Sequence, residues 1–281
     1  MNKRTKLIKQ IEEIIQKEVG GDSAMEAGQI VEASRAGDTM DEERAIDMAR
    51  QRASGVPLAN LTGKTTFMGM ELDIEPGVLV ARAETELLAK TAVEILGLIR
   101  HKRKDDRLRV IDMGCGSGNL SCAIAKMVPG VFVYASDLSE KCTTLTARNV
   151  GRHRLESQVS VTRGDLLEPL TGRNLEGSID MVVSNPPYIS STRLKGDRAF
   201  LLSHEPIEAF DGGPFGITIQ QRLIKEAVGF LKPGGYLLFE FGVGQHRQVK
   251  GLFDRTGLYE NVTFAADEAG EERVAIGVTK L

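Results

Sequence analysis

The chain has 281 residues, 36 Lys+Arg against 39 Asp+Glu, and a formal net charge of −3. That length allows one large domain or a large and a small one. A content of 41% hydrophobic and 27% charged residues excludes a disordered, collagen-like or disulfide-stapled chain. The balanced charge argues against an extended nucleic-acid surface, which needs clustered Lys and Arg, and no apolar run approaches the roughly 18 residues of a membrane span. Three cysteines, Cys115, Cys122 and Cys142, form neither a C-x-x-C pair nor a metal spacing. They read as small apolar filler in a reducing compartment. The basic start of the chain is interrupted by Glu12, Glu13 and Lys17, unlike a leader, so the expectation is a cytoplasmic protein without a membrane partner.

In chain order, Leu7, Ile8, Ile11, Ile14, Ile15 and Val19 recur at helical spacing until Gly20-Gly21. Two further helices are expected around 24–36 and 41–53, the latter capped by Asp38 or Thr39. Phe67–Ile74 reads as a strand turned by Glu75-Pro76-Gly77 into Val78–Val80, a connecting hairpin. Thr85–Arg100 is helical, and the charged run from His101 to Arg107 is a solvated linker. From there short apolar runs alternate with helical ones. Strands are expected at 109–113, 131–136, 159–161, 179–184 and 236–241. Helices are expected at 120–127, 140–149, 217–231 and 245–253, with a closing hairpin at 262–265 and 273–278. Such alternation predicts a parallel, doubly wound α/β sheet, in which ligands bind beyond the carboxyl ends of the strands.

The first of these strands runs into Asp112-Met-Gly114-Cys115-Gly116-Ser-Gly118-Asn119. The third glycine falls one place too early for a dinucleotide fingerprint, and no Lys-Ser/Thr follows as in a phosphate loop. What remains is a bare backbone on which a ligand can lie, with an acid ahead of it. Asp137 ends the next strand, 19 residues after Gly118, where a carboxylate reaches two ribose hydroxyls. Asp165 and Leu166 follow the third strand and could bracket an adenine and its amine. A nucleoside carrying a cation, S-adenosyl-L-methionine, fits this set.

The fourth strand runs into Asn185-Pro186-Pro187-Tyr188. Two prolines remove two backbone donors and stiffen the turn. The Asn185 side-chain oxygen and a neighbouring main-chain carbonyl then make two acceptors aimed at one N–H₂ group. Such a pair orients a planar nitrogen and disperses the positive charge that develops as it takes up a methyl group. Tyr188 walls the site with a ring face favourable to a cation.

Asp112–Gly118, Asp137 and Asn185–Tyr188, with Pro76–Glu86, Asp211-Gly212-Gly213-Pro214-Phe215-Gly216 and Asp267–Arg273, resemble the HemK/PrmC family of protein-(glutamine N5) methyltransferases. The resemblance covers almost the whole chain. It implies a class I methyltransferase (Rossmann-like) sheet of seven mostly parallel strands. It also implies a helical substrate-docking domain at 1–62, a hairpin connector at 63–84 and the methyltransferase domain at 85–281. The implied cofactor is S-adenosyl-L-methionine, and the implied partner is a class I peptide-chain release factor, whose Gly-Gly-Gln glutamine is methylated. A monomer is expected. By position, Asn185 and Pro186 hold the substrate amide, while Gly114, Asp137 and Asp165 hold the cofactor. The family's Pro-Arg-Pro-Glu is Ala81-Arg82-Ala83-Glu84 in this chain, and Glu84 is a candidate substrate contact.

Together these readings give a cofactor set of Asp112, Gly114, Cys115, Gly116, Gly118, Asp137, Asp165, Leu166 and Asn185. The substrate set is Asn185, Pro186, Pro187, Tyr188 and Glu84. His204 and Glu205 read as surface-loop residues, 189–214 as a candidate lid, and Lys232-Pro233-Gly234-Gly235 as a helix-to-strand turn. Three alternatives stay open: methylation of another amide, adenine N6-methylation of nucleic acid, and a silent binding protein.

Overall fold

The structure, a computed structural model, describes residues 2–16, 22–37, 39–103 and 107–280. Val19, Gly20, Gly21 and Asp38, the expected helix stop and one expected cap, lie outside these residues, as does 104–106 of the charged run. The chain divides into two compact units, Met1–Thr65 with Asp73–Pro76, and Thr66–Leu72 with Gly77–Leu281. Among the described residues no helix is long and apolar enough to cross a membrane.

The first unit holds α1 (Lys3–Gln16), α2 (Ser23–Ala33), α3 (Glu42–Ala53) and α4 (Leu58–Thr62). The apolar stripe Leu7, Ile11 and Ile15 of α1 meets Ile30 and Val31 of α2 and Met48 of α3 in one small core. Arg52 forks onto Glu26, Nε to Oε2 at 2.7 Å and Nη2 to Oε1 at 3.0 Å, and ties α3 to α2. The cap of α3 is Asp41, whose carboxylate accepts from Arg44 N at 3.0 Å. Thr39 is not the cap, because β1 (Arg35–Ala36) pairs with β2 (Thr39–Met40), and that pairing also ends α2 at Ala33.

The connecting hairpin is β3 (Lys64–Phe67) with β4 (Met70–Asp73). The turn therefore falls inside the run expected to be one strand, at Met68-Gly69, with φ of 50° and 74°. Left-handed conformation at both central residues suits the twist of a two-residue hairpin loop. Val78–Val80 forms no strand.

The second unit is built on β5 (Arg109–Met113), β6 (Phe132–Asp137), β7 (Val159–Arg163), β8 (Ile179–Ser184), β9 (Leu231–Glu240), β10 (Tyr259–Ala266) and β11 (Glu272–Thr279). Their order is β10-β11-β9-β8-β5-β6-β7. Only β11 pairs antiparallel to its neighbours, so the seven-stranded, mostly parallel sheet implied by the resemblance is present. Central strands are buried on both faces, and consecutive residues split between two cores. Val110, Val183 and Leu238 face Leu88 and Ala92 of α5 (Thr85–Arg103) and Cys122 of α6 (Asn119–Met127). Ile111, Val182 and Leu237 face Leu223 of α9 (Thr218–Ala227) and Leu252 of α10 (His246–Thr256).

Three further helices, α7 (Glu140–Arg152), α9 (Thr218–Ala227) and α10 (His246–Thr256), connect strands, and the short α8 (Ser191–Lys195) follows β8. Helix α9 is shorter than expected, and β9 begins at Leu231. Lys232–Gly235 is therefore a bulge inside β9, between the pairs Ile179↔Leu231 and Met181↔Tyr236, rather than a helix-to-strand turn. Gly234 takes φ 71° in it. The stretch 189–214 is not an unstructured loop. It contains α8 and two short 3₁₀ turns, and its two ends are pinned by the bridge Ile189↔Asp211.

Candidate active site

The chain winds outward from β5 in both directions, through β6 and β7 on one side and β8 and β9 on the other. The β5/β8 boundary is thus the topological switch point where such sheets open a crevice. Register sets the height of what lines it. Met113 pairs with Ser136 and with Ser184, and Ser184 pairs with Phe239. The next residues, Gly114, Asp137, Asn185 and Glu240, consequently stand on one level across four adjacent strands.

Gly114, Gly116 and Gly118 have φ of 72°, 56° and 82°, the left-handed region that side chains disfavour. A Cβ at Gly114 or Gly116 would meet nothing within 4 Å, so the backbone faces open space there. At Gly118 a Cβ would lie 2.9 Å from Thr146 Cγ2 of α7, so this glycine serves packing. Helix α7 holds the loop, with Thr146 Oγ1 donating to Gly116 O at 3.0 Å and Asn149 Nδ2 to Ser117 O at 2.8 Å. Asp137 is oriented by two backbone donors, Gly116 N to Oδ2 and Ser139 N to Oδ1, both at 2.9 Å. It is half-buried, and its remaining lone pairs are available to a diol. An open glycine cradle beside a fixed carboxylate fits the nucleoside end of S-adenosyl-L-methionine. Asp137→Ala is expected to weaken cofactor binding by roughly ten- to a hundredfold, the loss of charge-assisted hydrogen bonds. Calorimetric titration of the cofactor into the variant checks this, and an unchanged affinity removes Asp137 from the site.

Two residues of the expected cofactor set lie beneath the crevice surface. Cys115 is buried, its Sγ 3.3 Å from Thr146 Oγ1. Asp112 is fully buried, with Ser121 Oγ donating to Oδ2 at 2.5 Å, and its Oδ1 has no partner among the described residues. Burial pushes its carboxyl up to about 7, against the Ser121 hydrogen bonds. The folded protein then keeps a proton that the unfolded chain releases near pH 4, so stability falls as pH rises from about 4 to about 7. Asp112→Asn is expected to flatten that decline by up to about 4 kcal/mol. Urea denaturation at both ends of the window measures it, and parallel slopes for parent and variant contradict it.

Asp165 and Leu166 follow β7. Asp165 is half-buried and takes a fork from Arg222 of α9, at 2.9 and 3.4 Å. Leu166 is buried, with φ 48°, and its carbonyl accepts from Ser136 Oγ at 2.9 Å.

The Asn185–Tyr188 turn is held on three sides. Tyr188 donates its hydroxyl to Glu240 Oε1 at 3.0 Å, and its carbonyl accepts from Gln245 Nε2 at 3.0 Å. Asp211–Gly216 packs beneath it. A Cβ at Gly212 would lie 2.8 Å from Pro187 O, and one at Gly216 would lie 2.5 Å from Tyr188 O. Asp211 Oδ1 fixes that loop by accepting from Ser191 Oγ at 2.7 Å and Gly213 N at 2.8 Å. The Pro186 carbonyl is paired with no donor among the described residues. Asn185 Nδ2 donates to Thr85 Oγ1 at 3.1 Å. A narrow pocket of about 30 Å³ opens beside the turn, lined by Leu79, Arg82, Asn185, Tyr188, Ile189 and Phe210.

Several residues at this site carried no weight in the sequence reading. Thr85 and Glu240 are both buried, and Thr85 Oγ1 donates to Glu240 Oε2 at 2.7 Å. Glu240 had a usable signal, being the one charge in the apolar run 236–241 and standing at a strand's carboxyl end. Glu205, expected on a surface loop, is buried instead, accepting from Val80 N at 2.9 Å and Arg82 Nη2 at 2.5 Å. It fastens the segment before α5 to the 189–214 stretch. Glu84 is exposed, and its negative charge opposes the ionisation of both Tyr188 and Glu240.

The family model for the methyltransferase small domain matches residues 94–205. The chain is similar to the release factor glutamine methyltransferase of Moorella thermoacetica, 36% identical over 230 residues that span 82% of this chain and 76% of that protein. That of Gloeobacter violaceus is 34% identical over 235 residues, 84% of this chain and 79% of the relative. The N-terminal domain of human METTL16 in complex with SAH aligns with a TM-score of 0.56 at 18% identity, covering 84% of this chain and 83% of that one. A methyltransferase from Pyrococcus furiosus aligns at 0.51 and 17% identity, over 76% and 91%. At these identities the structural likeness is one of fold.

Proposed function

We propose that this chain, which belongs to the release factor glutamine methyltransferase family, methylates the N5 amide nitrogen of the Gly-Gly-Gln glutamine in a class I peptide-chain release factor. The supporting observation is the placement of the Asn185–Pro186 turn of β8 beside the open glycine loop of β5, at one height on neighbouring strands. S-adenosyl-L-methionine, when bound, would supply an electrophilic sulfonium methyl whose S–C bond breaks as the C–N bond forms, leaving S-adenosyl-L-homocysteine, with one amide N–H proton released to solvent. Gly114 and Gly116 give it backbone to lie on, Asp137 takes the ribose hydroxyls, and Asp165 and Leu166 flank the base.

The amide lone pair of glutamine is delocalised, so the nitrogen is a weak nucleophile. Asn185 Oδ1 and the Pro186 carbonyl accept its two N–H hydrogens, orient the lone pair and disperse charge as the new C–N bond forms. Tyr188, locked at its hydroxyl and its carbonyl, walls the site beside that charge. Pro187 keeps the turn rigid, and Glu84 borders the acceptor side. Docking of the release factor is assigned to the helical residues 1–62, which have their own core and carry none of these groups.

Radiolabelled cofactor incubated with purified release factor, with the same factor changed from Gln to Ala in the motif, with DNA and with small primary amides tests the assignment. Label is expected on the unaltered release factor alone. Label on adenine, or equal labelling of the altered factor, overturns it.

A further inference from the structure

We infer that Thr85 and Glu240 are positioning residues that fix which face of the Asn185 carboxamide the substrate meets. The inference rests on the acceptor role given to Asn185 above. A carboxamide has a donor end and an acceptor end of nearly the same shape, and only the acceptor end can hold an incoming N–H₂. The choice is made through Thr85 by Glu240, which stands 155 residues from that threonine in sequence.

Glu240 is 1% exposed at the end of β9, and an ionised carboxylate only accepts hydrogen bonds. Its Oε2 lies 2.7 Å from Thr85 Oγ1, so the Thr85 hydrogen points to Glu240. The Thr85 oxygen is left with lone pairs alone toward Asn185, 3.1 Å away. Only Nδ2 can satisfy it, and Oδ1 is thereby turned to the other side, as an acceptor. A buried carboxylate is costly unless supported, and this one has support. Tyr188 donates to Oε1 at 3.0 Å, and Arg273 Nη2 stands 3.6 Å from the same atom. Burial, the largest influence, and the charge of Glu84 push the Glu240 carboxyl above its ordinary value, while the hydrogen bonds from Thr85 and Tyr188 and the charge of Arg273 pull it back toward the ionised form. The same carboxylate thus aligns both ends of the Asn185–Tyr188 turn.

Three variants separate this arrangement from a merely structural one. Thr85→Val keeps the shape and removes the acceptor; Thr85→Ser keeps the hydroxyl; Glu240→Gln places a donor where only an acceptor stood, which frees Thr85 to donate and reverses the carboxamide. Thr85→Val and Glu240→Gln are expected to lower kcat for release-factor methylation by roughly ten- to a hundredfold. Cofactor Kd and release-factor KM should stay within about twofold, and Thr85→Ser should recover most of the rate. Unchanged kcat in Thr85→Val, no recovery in Thr85→Ser, or a matching loss of cofactor binding overturns the inference.

A second readout needs no acceptor protein. The side-chain amide resonances of Asn185, identified by their absence in Asn185→Ser, should exchange with solvent at least about tenfold faster in Thr85→Val than in the parent, through loss of the hydrogen bond. Equal exchange overturns the relay. Protected exchange in a parent protein that leaves the release factor unlabelled supports the relay and instead overturns the substrate assignment.

Discussion

Asn185→Ala is expected to lower the rate of methyl transfer by on the order of a hundredfold or more, while cofactor affinity stays nearly intact. The magnitude is that of removing one preorganised hydrogen-bonding group from a developing charge. The direction follows from position. Asn185 stands beyond β8 on the proposed acceptor side, whereas the groups proposed to frame the nucleoside, Gly114, Gly116 and Asp137, belong to the ends of β5 and β6. The alanine also leaves Thr85 Oγ1 without its donor, but Thr85 keeps its bond to Glu240, so the turn retains its Tyr188 and Gln245 anchors. Single-turnover transfer to the release factor, with calorimetry of the cofactor alongside, measures both quantities. Equal losses in rate and affinity would make Asn185 a structural residue and remove the basis of the proposed chemistry.

The second large effect is expected from a methyl group. Gly212→Ala places a Cβ 2.8 Å from Pro187 O and 2.8 Å from the carbonyl carbon of Gly216, both backbone atoms that no rotamer change can move aside. Overpacking of this kind costs about 1–3 kcal/mol. The strain is relieved most directly by displacing the Asn185–Tyr188 turn, and a displacement near 1 Å at reacting groups can cost about a hundredfold in rate. Lower thermal stability together with a large fall in turnover, at preserved cofactor affinity, is therefore expected. A variant as active and as stable as the parent would show that the 211–216 loop yields freely and does not support the turn. The contrasting position is Gly114, where a Cβ finds open space and the obstacle to substitution is the φ of 72°.

The central strands were legible because burial on both faces makes them continuous apolar runs. β5, β6 and β8 begin and end within a residue of expectation. The loops that follow them were legible for a related reason: Gly114–Gly118 and Asn185–Tyr188 have compositions that neither a helix nor a strand uses. What the sequence hid was long-range or short. Met68-Gly69 interrupts an apolar run with no proline or charged residue to mark the turn. Lys232–Gly235 has the composition of a turn and became a bulge because β8 continues to pair on either side of it. The 3₁₀ turns within 189–214 are too short to show a period. Glu205 looked like any charged loop residue because its partners, Val80 and Arg82, lie more than a hundred positions upstream. Thr85 was hidden for the same reason, since a threonine opening a helix is ordinary until Glu240 is found across from it.

The bridge Ile189↔Asp211 means that the chain leaves the acceptor turn and returns to it through one narrow neck. Residues between the neck's two sides can be lengthened, shortened or rewritten with little force transmitted to Asn185, provided Glu205 and Phe210 keep their places. The excursion and the acceptor turn are mechanically decoupled there. A laboratory that wished to graft a new segment into this protein would begin with that excursion and leave the strand ends alone.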